Sequence, residues 1–239
     1  RLPPPAEAGG FRRIISMNPK ALLAQYEIHP KKSLGQNFLH DPNALEKIVN
    51  TAELMPTDTV LEIGAGTGAL TEHLMRAAKH VIAVEVDSRL KQLLEEQFAN
   101  MPNVFFIYDD ILKVDVLSIV GPKDFVVVAN VPYYISSKIL RHLLGNHRRP
   151  RRVVLTLQLE LAERVIAEPG DMSLLAVSVQ FYGKPSIVTR LNPAVFWPRP
   201  EVESAVLCIE TYDTPPVDVP DSESFFRVAT AGFSQKRKQ

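Results

Sequence analysis

TVLEIGAGTGALTEHLMRAA, residues 59–78, is the stretch whose reading decides the fold. TVLEIG has the pattern of a short buried strand, AGTG follows as a glycine-rich turn, and ALTEHLMRAA has helical periodicity. A strand, a turn with glycines at 64, 66 and 68, and a helix allow close backbone approach to a ligand at a helix N-terminus. Such a turn alone fits NAD, a phosphate or another nucleotide-like ligand.

The same alternation repeats outward. HVIAVEVD reads as a second strand, SRLKQLLEEQFA as a helix, NVFFIYDD as a third strand, and DFVVVAN as a fourth after ILKVDVLSI. RRVVLTLQ and LELAERVIA add a further strand and helix. Upstream, DPNALEKIVNTAEL carries a capping aspartate and an early proline, so it reads as a helix, and NPKALLAQY as a short one. Strand–helix alternation predicts a parallel sheet covered on both faces. LLAVSVQFYG fits helix or strand. PSIVTRLN and VESAVLCIET read as consecutive strands, an antiparallel addition to the parallel core.

Composition supports that architecture. In 239 residues, 46% are hydrophobic and 23% charged, enough for a sizeable core without staples. The single cysteine, Cys208, excludes a disulfide framework and a thiolate metal site, and no metal is expected. No apolar run reaches about 18–20 residues, so no membrane span is expected. Lysine plus arginine equals aspartate plus glutamate at 27 each, but HRRPRR (147–152) and KRK (236–238) concentrate positive charge. Either run suits phosphate contact or a solvated surface.

Three strand ends narrow the ligand. Glu85 or Asp87, closing the second strand, is placed to bind a ribose diol. Asp110, or its neighbour Asp109, closes the third and can accept from an adenine amino group; either could instead cap the next helix. Together with the glycine turn they point to a nucleoside-containing cofactor. NVPYYISSKI (130–139) then follows the fourth strand at the same rim. The Asn130 side-chain carbonyl can accept a hydrogen bond from an exocyclic amino group, Pro132 fixes the turn, and the Val131 or Pro132 carbonyl can take a second hydrogen. Tyr133 can stack on a planar base, whereas Tyr134 reads as core or rim packing. Two acceptors around an amino nitrogen suit chemistry at adenine N6.

With these motifs in place, the chain resembles the ribosomal RNA small-subunit adenine N6,N6-dimethyltransferases. KKSLGQNFLHD (31–41), LEIGAGTGALT (61–71), NVPYYISS (130–137), LQLELAERV (157–165), FWPRPEVESAV (196–206) and the final GFSQKRK carry the resemblance, which runs from about Pro30 to Gln239. It implies a class I S-adenosylmethionine-dependent methyltransferase with a seven-stranded, mostly parallel sheet and a truncated C-terminal helical domain. Residues 1–29 would be a flexible leader and short helix, 30–211 the catalytic domain, and 212–239 a linker and the start of a helical RNA-binding domain.

The resemblance also assigns residues. Gln36, Asn37, Leu39, Gly64, Gly66, Gly68, Glu85 and Asp110 match cofactor positions, with Asn130 serving cofactor and target alike. Asn130, Pro132 and Tyr133 match the target-base motif, and Phe196 an aromatic that holds the flipped base against Tyr133. Lys31 and Lys32 gain a role beside RNA phosphate, as do Arg148, Arg149, Arg151, Arg152, Lys236, Arg237 and Lys238. The implied substrate is a pair of adjacent adenosines near the 3′ end of small-subunit (16S) RNA. The implied partner is a preassembled 30S-like particle, with the enzyme a cytoplasmic monomer, or organellar if residues 1–16 are a targeting remnant. NVPY stands where NLPY is commoner, a small volume change. The nearest rival is a macrolide-resistance-type methyltransferase of large-subunit RNA; an RNA-binding assembly factor, an NAD oxidoreductase and a small-molecule methyltransferase fit fewer motifs.

Overall fold

A computed structural model describes residues 18–234. Nine strands and nine α-helices are found among them: α1 (Pro19–Gln25), β1 (Phe38–Leu39), α2 (Pro42–Thr51), β2 (Thr59–Ile63), α3 (Ala69–Ala77), β3 (His80–Val84), α4 (Lys91–Gln97), β4 (Val104–Ile107), α5 (Val116–Val120), β5 (Phe125–Asn130), α6 (Ser136–Leu144), β6 (Arg152–Gln158), α7 (Leu159–Val165), α8 (Leu174–Tyr182), β7 (Gly183–Leu191), β8 (Phe196–Trp197), β9 (Ser204–Thr211) and α9 (Ser222–Phe233). Seven strands form one sheet in the order β4-β3-β2-β5-β6-β9-β7.

The five strands from β4 to β6 are parallel, and β9 enters antiparallel between β6 and β7. This is the class I S-adenosylmethionine-dependent methyltransferase arrangement, with the late strand pair added as its sequence suggested. The ambiguous LLAVSVQFYG is helical: it forms α8, capped by Ser173, whose hydroxyl accepts from the Ala176 N–H at 3.2 Å.

Alternating side chains divide the core between the two faces of the sheet. Val127 and Ala129 of β5 pack with Ile139, Leu140 and Leu143 of α6, whereas Val126 and Val128 pack with Leu45 of α2 and Leu74 of α3. A third cluster joins Leu23 of α1 to Leu93 and Leu94 of α4. Asp41 starts α2 by accepting from the Ala44 N–H at 2.8 Å, with Pro42 in the first turn.

In-register parallel pairing sets Ile63 beside Val84 and Ala129, and Val84 beside Ile107. The polypeptide therefore leaves β2, β3, β4 and β5 at one common rim. The crevice outside the carboxyl ends of parallel strands is where open α/β sheets hold ligands.

Candidate active site

The glycine turn comes first, because it leaves the central strand. Gly64, Gly66 and Gly68 all adopt left-handed backbone, with φ of 83°, 57° and 82°. At Gly66 the requirement is double: φ favours glycine, and a Cβ would sit 3.1 Å from Phe38 Cδ1. The turn then aims the Gly66 N–H at Glu85 Oε2, 2.8 Å away.

Glu85 stands just beyond β3 and is buried. Burial pushes its carboxyl above the ordinary range, against hydrogen bonds from the Asp87 and Gly66 N–H groups that favour the charged form. Asp87 behaves oppositely. Its burial would raise it, but hydrogen bonds from Arg89 and Gln36 hold it below the usual carboxylate range. The contacts are short: Gln36 Nε2 donates to Asp87 Oδ2 at 2.8 Å, and Arg89 Nη2 lies 2.6 Å from the same oxygen. Gln36 also accepts from the Lys31 N–H at 2.7 Å, and Arg89 donates to the His29 carbonyl at 3.1 Å. The KKSLGQNF segment is thereby a strap tied across the rim.

The same segment meets the turn after β5. Asn130 Nδ2 donates to the Asn37 carbonyl at 3.1 Å, so the Asn130 Oδ1 remains as an acceptor. The Pro132 carbonyl accepts from the Ile135 N–H and the Ser136 hydroxyl, both at 3.2 Å. That occupies the Pro132 oxygen in starting α6, and makes the Val131 carbonyl the better second acceptor.

These parts enclose a cavity of about 310 Å³. Gln36, Asn37, Gly64, Gly66, Glu85, Asp110, Asn130 and Pro132 line it, as the motifs lead one to expect; Asp109 does too. Leu34, Phe38, Ile111, Leu112 and Ile135 supply an apolar wall that strand-end reasoning overlooked, although Phe38 and Leu112 lie beside assigned residues. Asp110 Oδ1 accepts from the Leu112 N–H at 3.0 Å, the capping role that competed with adenine contact.

Three assigned residues, Leu39, Gly68 and Phe196, are not on the cavity wall. Leu39 and Phe196 face each other across the β1–β8 ribbon, and both are buried in the core cluster against α2 and α3. Alternation explains this: Phe38, their neighbour on the ribbon, is the residue turned to the cavity. Gly68 caps α3 and packs under Phe98, where a Cβ would come within 2.7 Å of Cε2. Tyr133 lies in the one-turn 3₁₀ segment Tyr133–Ile135.

The arginines of HRRPRR lie at the opposite end of the sheet, before and at the start of β6, and are engaged within the fold. Arg148 donates to the Lys123 carbonyl at 2.7 Å, and Arg149 stacks 4.4 Å from the Tyr182 ring centroid. Arg151 pairs with Asp58 at 2.8 Å, and Arg152 with Glu53 at 2.8 Å and Glu210 at 3.2 Å. Lys31 and Lys32 are exposed beside the rim. Lys236, Arg237 and Lys238 lie outside the described residues. Among the described residues, no cluster of three or more His, Cys, Asp or Glu could hold a metal ion, and no helix is long and apolar enough to cross a membrane.

The residues themselves fit S-adenosylmethionine. A glycine turn that any Cβ would crowd, a buried carboxylate at the next strand end and an apolar-walled cavity are what a nucleoside with a charged amino-acid tail requires. The comparisons agree. A family model described as "Ribosomal RNA adenine dimethylase" matches residues 28–239. The chain is 43% identical over 220 residues to a "Ribosomal RNA small subunit methyltransferase A" of Dehalococcoides mccartyi, covering 92% of this chain and 76% of that one. It is 45% identical to the protein of the same name from Moorella thermoacetica, covering 91% and 80%. A dimethyladenosine transferase from Plasmodium falciparum superposes with a TM-score of 0.74 at 30% identity, over 84% of this chain and 72% of that one. The 23S rRNA methyltransferase ErmE gives the same TM-score at 28% identity, over 85% and 81%. Glycine turn, rim acids and amide-bearing turn thus stand in one cavity of a chain that belongs to the ribosomal RNA adenine dimethylase family, S-adenosylmethionine-dependent methyltransferases acting on adenine of ribosomal RNA.

Proposed function

We propose that the chain dimethylates N6 of two adjacent adenosines near the 3′ end of small-subunit ribosomal RNA, working as a monomer on an assembled small-subunit particle. The observation that carries the target is the level of similarity. Proteins named as small-subunit methyltransferases reach 41–45% identity over about nine-tenths of the chain.

When bound, S-adenosylmethionine supplies an electrophilic methyl group on a sulfonium. Gly64, Gly66 and Glu85 would hold it, with Gln36 and Asn37 closing over it and Asp110 at the adenine end. The chain's own task is the nucleophile. Adenine N6 is weakly nucleophilic because its lone pair is delocalised into the ring. Asn130 Oδ1 and the Val131 carbonyl can each accept one amino hydrogen, drawing the lone pair out of conjugation. Asn37 fixes the Asn130 amide through its carbonyl, so the acceptor is oriented beforehand. No side-chain base is needed, because the alkylated nitrogen is acidic and releases its proton to water. The target must leave its stack to reach the cavity. The monomethylated intermediate offers one N–H, and Asn130 and Val131 are then alternatives for holding it.

Incubation with radiolabelled S-adenosylmethionine and undermethylated small subunits, followed by nucleoside mapping, tests the proposal. Dimethyladenosine at two adjacent small-subunit positions is expected. Label confined to large-subunit RNA would replace this reading with the resistance-type activity.

A further inference from the structure

Tyr134 and Lys138 line the outer wall of the cavity, and the chemistry above uses neither. Tyr134 is 62% exposed. It leans on the strap: the position of a Cβ on Gly35 lies 3.5 Å from its Cδ1 and Cε1. Its ring is therefore supported from behind and open in front.

Lys138 is exposed in the first turn of α6. Among the described residues it is the one cation on a wall whose other charged residues are Glu85, Asp109 and Asp110. Each of those acids accepts from backbone N–H groups: Glu85 from Gly66 and Asp87, Asp109 from Asp110, Asp110 from Leu112. Lys138 forms no ion pair or hydrogen bond among the described residues. An ammonium left free beside a flat, supported ring suits a strand that brings both a phosphate and a base.

We infer that Tyr134 and Lys138 grip the RNA strand next to the target adenosine, Tyr134 stacking on a neighbouring base and Lys138 neutralising a backbone phosphate. The inference rests on the ribosomal RNA reading. Its geometric support is that both residues follow Pro132 within two helical turns, so the grip and the acceptor turn move as one piece. The strand would be held at the cavity mouth while its target base enters.

The test measures binding of a labelled 3′-terminal small-subunit RNA fragment, and of a large-subunit fragment, across a salt series. S-adenosylmethionine affinity is measured alongside by calorimetry. Lys138→Ala should weaken RNA binding and flatten the slope of log K against log salt by about 0.7–0.9, the value of one phosphate contact. Lys138→Arg should keep the wild-type slope. Tyr134→Ala should weaken RNA binding by roughly 5- to 100-fold with the slope unchanged, and Tyr134→Phe should restore it. Cofactor affinity should stay constant in all four. An unchanged slope in Lys138→Ala would overturn the phosphate contact, and loss of cofactor affinity would reassign Lys138 to the cofactor's carboxylate. If the wild type methylates only the large-subunit fragment, the target proposed above fails, yet the same slope comparison on that RNA still decides the grip. A wild type that binds neither RNA overturns both.

Discussion

Asn130 shows how one side chain can serve two ends. Its amide nitrogen is tied to the Asn37 carbonyl, and that bond turns its oxygen into an acceptor with a fixed direction. Asn130→Ala should therefore reduce methyl transfer on the order of 10²-fold, the usual scale for removing one preoriented polar contact to a reacting group. Cofactor affinity, measured by calorimetry, should change little, because the contacts proposed for the cofactor are those of Gly64, Gly66 and Glu85, which line the cavity. A parallel loss of cofactor affinity would show that the amide works on the cofactor instead. Glu85 makes the contrasting case: its carboxylate meets two backbone N–H groups, of Gly66 and Asp87, and so links the turn after β2 to the end of β3.

At the scale of elements, the β1–β8 ribbon decides which of its residues reach the site. Four residues pair across it, and alternation sends Leu39 and Phe196 into the core and Phe38 to the cavity. Leu39→Ala should accordingly cost about 2–5 kcal/mol of stability, as for other buried leucines. Under conditions where the variant is folded, its cofactor affinity should stay close to wild type. A large loss of affinity in a variant of unchanged stability would restore Leu39 to the cofactor. The strap before the ribbon is held differently, by the polar chain Gln36–Asp87–Arg89.

Across the whole molecule, the least expected group is Glu62, the next-to-last residue of β2. It is fully buried; Oε2 accepts from the Thr71 hydroxyl at 2.6 Å, and Oε1 has no partner among the described residues. Burial pushes its carboxyl from 4.5 up to about 8. The folded chain thus holds a proton that the unfolded chain releases between those values. Its contribution to stability is full below about pH 4.5 and is lost as pH rises through about 8. Glu85 acts in the same direction and Asp87 in the opposite one. Thermal unfolding at pH 6 and pH 9 should show a fall in Tm for the wild type, and a smaller fall for Glu62→Gln, at about 2–4 °C per kcal/mol for a chain of this size. Identical falls in the two proteins would mean that Glu62 is ionised throughout.

The sequence by itself determined the parallel core, the glycine turn, the rim acids and the acceptor turn, because each is written in neighbouring residues whose periodicity or backbone needs are local. TVLEIG and DFVVVAN could be read as strands before their partners were known, and the alternation of strands and helices then fixed where their ends must gather. Only the tertiary structure decided which face a residue takes and what a charge meets. Leu39 and Phe38 are adjacent and equally apolar, yet strand pairing with Trp197 and Phe196 sends them opposite ways. HRRPRR looks like one basic surface, but Asp58, Glu53 and Glu210, distant in the chain, engage Arg151 and Arg152. Tyr134 suits core or rim packing by its local pattern, and only the tertiary structure places it at the rim, exposed. Local pattern carries no record of such long-range partners, and it is burial and pairing that separate a side chain serving the fold from one left free for the substrate.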